Sequence, residues 1–263
     1  MTDFEKFDPG TFAWVDVNTT DPEATRAFFT SLFGLTSNDV PSPTDTPYTI
    51  MMKDGKQAWG LFPLQEDLRE AGVPSHFLSY VKVSDVAATL AAMEGAGGST
   101  AVAPMDVGNG TWIAMGTDPT GAMIGLMQPG DEEGVTVANE PGTLIWNELL
   151  TNDCDGCAAF YSTAFGWALD SMDTPNGPYH SFKDGDDYRG GMMEIRQEWG
   201  PLPPSWQVYF ATDDADATVA KAEQLGGSVA VPAFDVPEVG RMATLADPAG
   251  AHFSVFQPST PVP

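Results

Sequence analysis

The chain has 263 residues, of which 42% are hydrophobic, enough for two ordinary cores or for one large core. Asp and Glu total 37 against 11 Lys and Arg, and the net charge of −26 argues against nucleic acid or an anionic membrane as a partner. No segment approaches the roughly 18 consecutive apolar residues of a membrane helix, and residues 1–10 lack the apolar core of a signal peptide. We therefore expect a cytoplasmic protein.

An internal repeat organises the chain. Residues 10–16 (GTFAWVD) recur as residues 142–148 (GTLIWNE), so Trp146 corresponds to Trp14. The DPTGA segment that starts at Asp118 recurs as DPAGA from Asp247, at a slightly shorter spacing than the two tryptophans, as short loop deletions would produce. The repeat predicts two domains, residues 1–130 and 142–263, joined by an acidic linker at residues 131–141.

Each half divides again into two similar units. In the first half, an alternating strand at 11–18 is followed by a helix that begins after Asp21 and ends at Gly34. A second strand at 77–83 is followed by a helix that Asp85 caps. Further short alternating segments are predicted as strands at 48–53, 57–62, 111–115 and 123–127. This pattern predicts βαβββ twice in each half, so at least one half should fold alone.

Four pairs of motifs recur at equivalent places in the halves. They are Trp-x-Asp/Glu at 14–16 and 146–148, Phe-Phe/Tyr at 28–29 and 160–161, Phe-Gly at 33–34 and 165–166, and Asp-Pro-x-Gly-Ala at 118–122 and 247–251. Together they resemble the vicinal oxygen chelate superfamily of glyoxalases, bleomycin-resistance proteins and extradiol dioxygenases. Within it, the chain is similar to an actinobacterial tandem group that includes a mycobacterial antigen and antibiotic-pathway proteins labelled hydroxylases. The resemblance implies an α+β fold with tandem glyoxalase-like domains, built as two curved mixed sheets with helices on the outer face. It implies little about the reaction, because one fold hosts many chemistries.

The resemblance also locates the positions at which the family binds its metal ion. They fall at Trp14, near Gly60, at Leu78 and at Gly125 in the first half, and at Trp146, near Gly190, at Gln207 and at Ser254 in the second. None is His, Asp, Glu or Cys, whereas a divalent ion needs several oxygen or imidazole ligands. We therefore expect no cofactor. The alternative is a divalent metal ion in the second half, held by His180, His252 and Glu148.

Asp16 and Glu148 are the candidate catalytic residues. Strand alternation places each carboxylate on the same face as the preceding Trp14 or Trp146. A carboxylate beside an indole could act as a general base or could anchor a ligand hydroxyl or amine. The alternative interpretation is that both carboxylates bond to nearby backbone or tyrosine groups and only shape the sheet.

Other side chains on the same faces are candidates for ligand binding. With the two tryptophans the set comprises Trp14, His76, Tyr80, Trp146, Gln207, Tyr209 and His252. The strand methionines, such as Met51, Met115 and Met192, could line an adaptable pocket or belong to the core. Cys154 and Cys157 form Cys-x-x-Cys at a helix start, but Pro22 and Thr25 occupy the same places in the first half, so a redox role is not favoured.

These observations predict a monomer or homodimer that binds a small aromatic or hydrophobic metabolite in a metal-free pocket. Such a protein could sequester the metabolite, as in resistance, or assist its modification. The alternatives are a metal-dependent lyase or oxygenase with its site in the second half, and a structural or antigenic role without a ligand.

Overall fold

The structure, a computed structural model, describes residues 7–42, 46–174 and 177–260. Residues 1–6, part of the segment that lacks a signal-peptide pattern, lie outside this range. Within the described ranges, no helix has the length and apolar character needed to cross a membrane.

The first half alternates strands and helices as the repeat predicts. Its elements are β1 (Phe12–Thr19), α1 (Pro22–Phe33), β2 (Thr36–Val40), β3 (Tyr48–Lys53), β4 (Lys56–Pro63), α2 (Glu66–Glu70), β5 (His76–Lys82), α3 (Val86–Gly95), β6 (Ser99–Gly108), β7 (Thr111–Thr117) and β8 (Met123–Gln128). The second half repeats this order with a short 3-10 turn in place of α2. Its elements are β9 (Leu144–Thr151), α4 (Cys154–Phe165), β10 (Ala168–Thr174), β11 (Gly177–Asp184), β12 (Asp187–Glu194), β13 (Ser205–Ala211), α5 (Ala215–Gln224), β14 (Ser228–Val236), β15 (Gly240–Ala246) and β16 (His252–Pro258).

Each half forms one eight-stranded mixed sheet. The strand orders are β2-β3-β4-β1-β5-β8-β7-β6 and β10-β11-β12-β9-β13-β16-β15-β14. In both sheets the two central strands are antiparallel, and each has a parallel partner on its other side. Four βαβββ units are present, which confirms the predicted tandem α+β fold.

The long helices that open each half begin and end as their sequence signals predict. The carboxylates of Asp21 and Asp153 accept hydrogen bonds from the first turns of α1 and α4 at 3.0 and 2.9 Å. Gly34 and Gly166 end these helices in the left-handed region, with φ of 68° and 76°.

The two sheets pack against each other through the faces that carry the helices. Val15 and Val17 enter this core, whereas the intervening Asp16 lies on the opposite side of β1. Phe29 of α1 packs against Phe210 and Phe253 of the second sheet, with ring centroids 6.2 and 5.0 Å away. The core therefore runs across both halves, a feature that the repeat alone does not predict.

Buried hydrogen bonds join the halves at two equivalent places. Asp118, in the turn before β8, accepts from the Tyr161 hydroxyl of α4 at 3.1 Å. Asp247, in the matching turn of the second half, accepts from the Thr25 hydroxyl of α1 at 2.6 Å. Each Asp-Pro-x-Gly turn thus holds the first helix of the other half.

Candidate functional site

A buried carboxylate cluster lies on the side of the first sheet that faces away from the helices. Asp16 is 9% exposed and accepts hydrogen bonds from the Trp14 indole at 2.8 Å and from the Tyr48 hydroxyl. The Trp14 indole also lies 2.6 Å from the Tyr48 oxygen. Tyr80, in register with Trp14 on the next strand, lies near Asp16 and helps to lower the pKa of its carboxylate. We call this side of the sheet the first carboxylate face.

The second sheet carries the same cluster with a longer carboxylate. Glu148 is 7% exposed and accepts a hydrogen bond from the Tyr209 hydroxyl at 2.8 Å. The Trp146 indole donates to the Tyr179 hydroxyl at 3.1 Å, and Tyr179 also interacts with Glu148. This side is the second carboxylate face. Both halves therefore place one carboxylate, one indole and two phenols together.

Glycines on neighbouring strands leave the room that the phenols occupy. Gly60 lies in register with Asp16, and a Cβ at Gly60 would collide with the Tyr48 hydroxyl. Gly191 lies in register with Glu148, and a Cβ there would collide with the Tyr179 hydroxyl. The family position that the sequence placed near Gly190 is therefore occupied by Gly191, one residue further on. A side chain at Gly190 would lie on the other side of the sheet, against the ring of Trp206.

Burial governs the protonation of these clusters. It raises the pKa of Asp16 and Glu148, while the hydrogen bonds from the tyrosines lower it in part. Burial and the neighbouring carboxylate raise the pKa of Tyr48, Tyr80 and Tyr209 well above that of a free phenol. The phenols therefore remain protonated and donate, which leaves the carboxylate as the acceptor and proton-accepting group of each cluster.

The donor set of the clusters does not fit a divalent cation. Each offers one carboxylate surrounded by protonated phenols that donate to it. The indole of Trp14 also donates to Asp16, whereas that of Trp146 donates to the Tyr179 hydroxyl. Among the described residues, no three His, Cys, Asp or Glu side chains are grouped so that they could hold a metal ion.

The alternative ligand set is not brought together. His180 pairs with Met192, which is fully buried in the core, and its Nδ1 lies 2.7 Å from Ser171 Oγ. Since the preceding Tyr179 joins the Glu148 cluster, strand alternation turns His180 to the opposite side. His252 is exposed at the start of β16.

The remaining candidates occupy varied positions. Gln207 lies in register with Glu148 and donates to Ser205 at 3.0 Å. His76 is half-buried, and its Nδ1 lies 2.9 Å from the Pro74 carbonyl.

The methionines divide between core and face. Met51 and Met192 are fully buried in the core, whereas Met123 is 39% exposed. The cysteines are free thiols, and burial and neighbouring acidic groups raise the pKa to about 11 for Cys154 and about 12 for Cys157. These surroundings outweigh the effect of the helix dipole and disfavour a reactive thiolate.

Sequence analysis missed Tyr48 and Tyr179, the second phenol of each cluster. Each follows a proline at the start of its strand, and their spacing along the chain equals that between Gly60 and Gly191. The joint repetition of Pro-Tyr and of these glycines was the available signal.

Comparisons with known proteins agree with this architecture. Residues 11–126 match the Glyoxalase/Bleomycin resistance protein/Dioxygenase superfamily, and residues 147–256 match a glyoxalase-like domain. CFP32 of Mycobacterium tuberculosis is 42% identical to this chain over 95% of both chains. Its name describes it provisionally as a glyoxylase. The anthracycline biosynthesis protein DnrV of Streptomyces peucetius is 34% identical over 96% of this chain and 94% of its own.

A solved structure shares the fold at much lower identity. The Mn(II)-bound glyoxalase from Novosphingobium aromaticivorans is 14% identical, with a TM-score of 0.64 over 94% of this chain and 82% of its own. This likeness concerns the fold alone. Both halves of the chain match family models, and CFP32 and DnrV each align with nearly the whole chain. The chain therefore belongs to the glyoxalase/bleomycin resistance protein/dioxygenase superfamily.

Proposed function

We propose that the protein binds a small aromatic or hydrophobic metabolite on a carboxylate face and does so without a metal ion. The observation that carries the proposal is the repeated cluster of one buried carboxylate, one indole and two phenols, placed away from the core in both halves. Buried polar groups of this kind cost free energy unless they are paired, and polar groups fixed beside apolar surface are typical of small-molecule sites.

In this proposal the carboxylate anchors the ligand. Trp14 and Trp146 are half-buried, so part of each ring is accessible to a flat ligand. Asp16 or Glu148 then accepts a hydrogen bond from a ligand hydroxyl or amine, or takes a proton from it. DnrV is named for the biosynthesis of anthracyclines, which are flat aromatic compounds, and this supports an aromatic ligand.

A thermal-shift screen of hydroxylated aromatic compounds tests the proposal. A ligand at 100 times its Kd should stabilise the wild-type protein by about 2.7 kcal/mol. Trp146→Leu should remove the stabilisation if the second face binds the ligand, and Trp14→Leu if the first face does. Trp199→Leu changes a tryptophan that is 37% exposed outside both clusters and should leave it intact. If no compound stabilises the wild type, the structural or antigenic role gains support and the proposal fails.

A further inference from the structure

The two carboxylate faces differ in how much of each is covered by the rest of the chain. On the first face, Phe7 from the N-terminal segment and Val135 and Ala138 from the linker form one hydrophobic cluster with Leu78 and Tyr80. The cluster also includes Met127, and Trp14 packs against it. Leu78 and Tyr80 are each only 3% exposed. The first face is therefore largely filled by the protein itself.

Backbone and ion-pair contacts hold the linker in this position. The Val135 amide donates to the Ala13 carbonyl at 2.9 Å, and the Thr136 amide donates to the Gln57 carbonyl at 2.8 Å. Lys82, at the end of β5, pairs with Glu133 of the linker. The linker is thus bound to the edge of the first face by directed interactions as well as by apolar contact.

The second face is less covered at the strand beside its carboxylate, although Glu148 itself is as buried as Asp16. Gln207 and Tyr209 correspond to Leu78 and Tyr80, yet both are half-buried rather than buried. Ala211 takes the place of Lys82 at the end of the matching strand, so the second face has no charge there with which a linker carboxylate could pair. At the outer strands, large apolar side chains are exposed in both halves, Met172 at 62% and Phe234 at 44% in the second and Met105 at 37% in the first, so the faces differ chiefly at their central strands.

The second face also carries polar side chains where the first has apolar ones or none. Gln207 takes the place of Leu78 beside the carboxylate, and Ser254 takes the place of Gly125 beside the tyrosine. On the next strand Thr244 replaces a methionine, and its hydroxyl lies 3.0 Å from that of Ser254. These groups add hydrogen-bonding capacity to a row that already contains Glu148.

We infer that the second carboxylate face alone is the ligand site, and that it takes a flat aromatic compound with at least two hydroxyl or carbonyl oxygens. The inference rests on the proposed function and assigns it to one half. Glu148 accepts from one ligand oxygen, and Gln207 and Thr244 serve the others. Ser254 is buried and positions the Thr244 hydroxyl. The exposed apolar side chains of the outer strands contact the aromatic rings of the ligand. The first cluster is a structural counterpart whose face the linker closes.

Thiol labelling tests the openness of the two faces without any ligand. Gln207→Cys and Leu78→Cys change residues in register with Glu148 and Asp16, and N-(1-pyrenyl)maleimide is an aromatic probe of their accessibility. We expect the Gln207→Cys variant to react at least tenfold faster, after subtraction of the wild-type rate from Cys154 and Cys157. Similar rates or a reversed order would overturn the inference. Slow reaction of both variants would also overturn it, because the second face would then be covered, for example by a second copy of the chain.

A second pair protects this test against misfolding. If Leu78→Cys does not fold by circular dichroism, Met127→Cys and Phe256→Cys provide the same comparison, because Met127 is 6% exposed and Phe256 is half-buried. The Phe256→Cys variant must react faster than the Met127→Cys variant.

Binding of 1,8-dihydroxyanthraquinone, measured by calorimetry, tests the ligand class. The wild type should bind it at least tenfold more tightly than unsubstituted anthraquinone. Gln207→Leu, which installs the first-face residue, should weaken binding at least tenfold, and Gln224→Leu at the exposed end of α5 should not. Unchanged affinity in Gln207→Leu would overturn the assignment to the second face. Absence of binding to the wild type would overturn the ligand class and count against the proposed function, while the labelling result would still decide which face is open.

Discussion

Gly191 lies in register with Glu148 on the neighbouring parallel strand, and the Tyr179 hydroxyl occupies the space that a side chain at Gly191 would need. Gly191→Ala should therefore displace Tyr179 and cost about 1–3 kcal/mol in the free energy of unfolding, the usual effect of overpacking a buried site. Urea denaturation gives this value. Gly95→Ala is the matched control, since a Cβ there meets nothing within 4 Å, and it should be neutral or stabilising. Equal effects of the two changes would refute the space-filling role of Gly191.

The repeat and strand alternation predict much of this site. They place Asp16 and Glu148 beside Trp14 and Trp146, and the structure confirms the four βαβββ units. They do not locate the edge strands β2, β6, β10 and β14, whose residues are mostly exposed and so lack an apolar alternation.

Local sequence patterns do not predict contacts between distant parts of the chain. The recurrence of Lys-Asp-Gly from residues 53–55 at 183–185 makes His180 equivalent to Ile50. The pairing of β11 with β12 instead makes Ser181 the equivalent residue, since Ile50 and Ser181 each lie across from the glycine beside the carboxylate. The covering of the first face by Val135 depends on where the linker turns back, which its acidic composition does not reveal. One-residue shifts of this kind reverse the face on which a strand residue lies.

The pH dependence of stability should reveal the buried state of Asp16. Because burial raises its pKa in the folded protein above the ordinary value of 3.8, the unfolded chain loses this proton first as the pH rises. The wild type should therefore lose stability relative to Asp16→Asn as the pH rises from 3.8 through the folded pKa. Asp39 provides the opposite control, because bonds from Thr49 and Arg26 lower its pKa, so the wild type should gain stability relative to Asp39→Asn over the acid range. Urea denaturation of the three proteins between about pH 2 and pH 7 measures both trends, the Asp39 trend in the lower part of that range and the Asp16 trend in the upper part. A pH-independent difference for Asp16→Asn would contradict the role of burial.

The shared aromatic core predicts that the halves unfold together. Phe29 is fully buried and touches rings of both sheets, so Phe29→Ala should cost about 3–5 kcal/mol. Differential scanning calorimetry should show one transition in both the wild type and the variant, shifted to lower temperature in the variant. Two separate transitions, with only one of them shifted, would show that the halves are independent.

The donor sets predict a protein that does not depend on a divalent ion. Elemental analysis of protein purified without chelators or a nickel column should find no iron, zinc, manganese or nickel in stoichiometric amount. Treatment with EDTA should leave the melting temperature unchanged, because hydrogen bonds from the phenols already satisfy both carboxylates. A stoichiometric metal ion, lost together with stability on chelation, would favour the metal-dependent alternative.

The most direct test of the account measures the stability and the ligand affinity of Glu148→Gln side by side. The amide keeps the shape of Glu148 and can still accept a hydrogen bond from Tyr209, but it loses the charge. If Glu148 serves a ligand, the melting temperature should stay near that of the wild type while the affinity for a compound from the thermal-shift screen falls at least tenfold. If it only shapes the sheet, stability should fall by about 1–3 kcal/mol, as for a disturbed buried hydrogen bond, with the affinity intact. That second result would contradict the assignment of Glu148 to ligand binding.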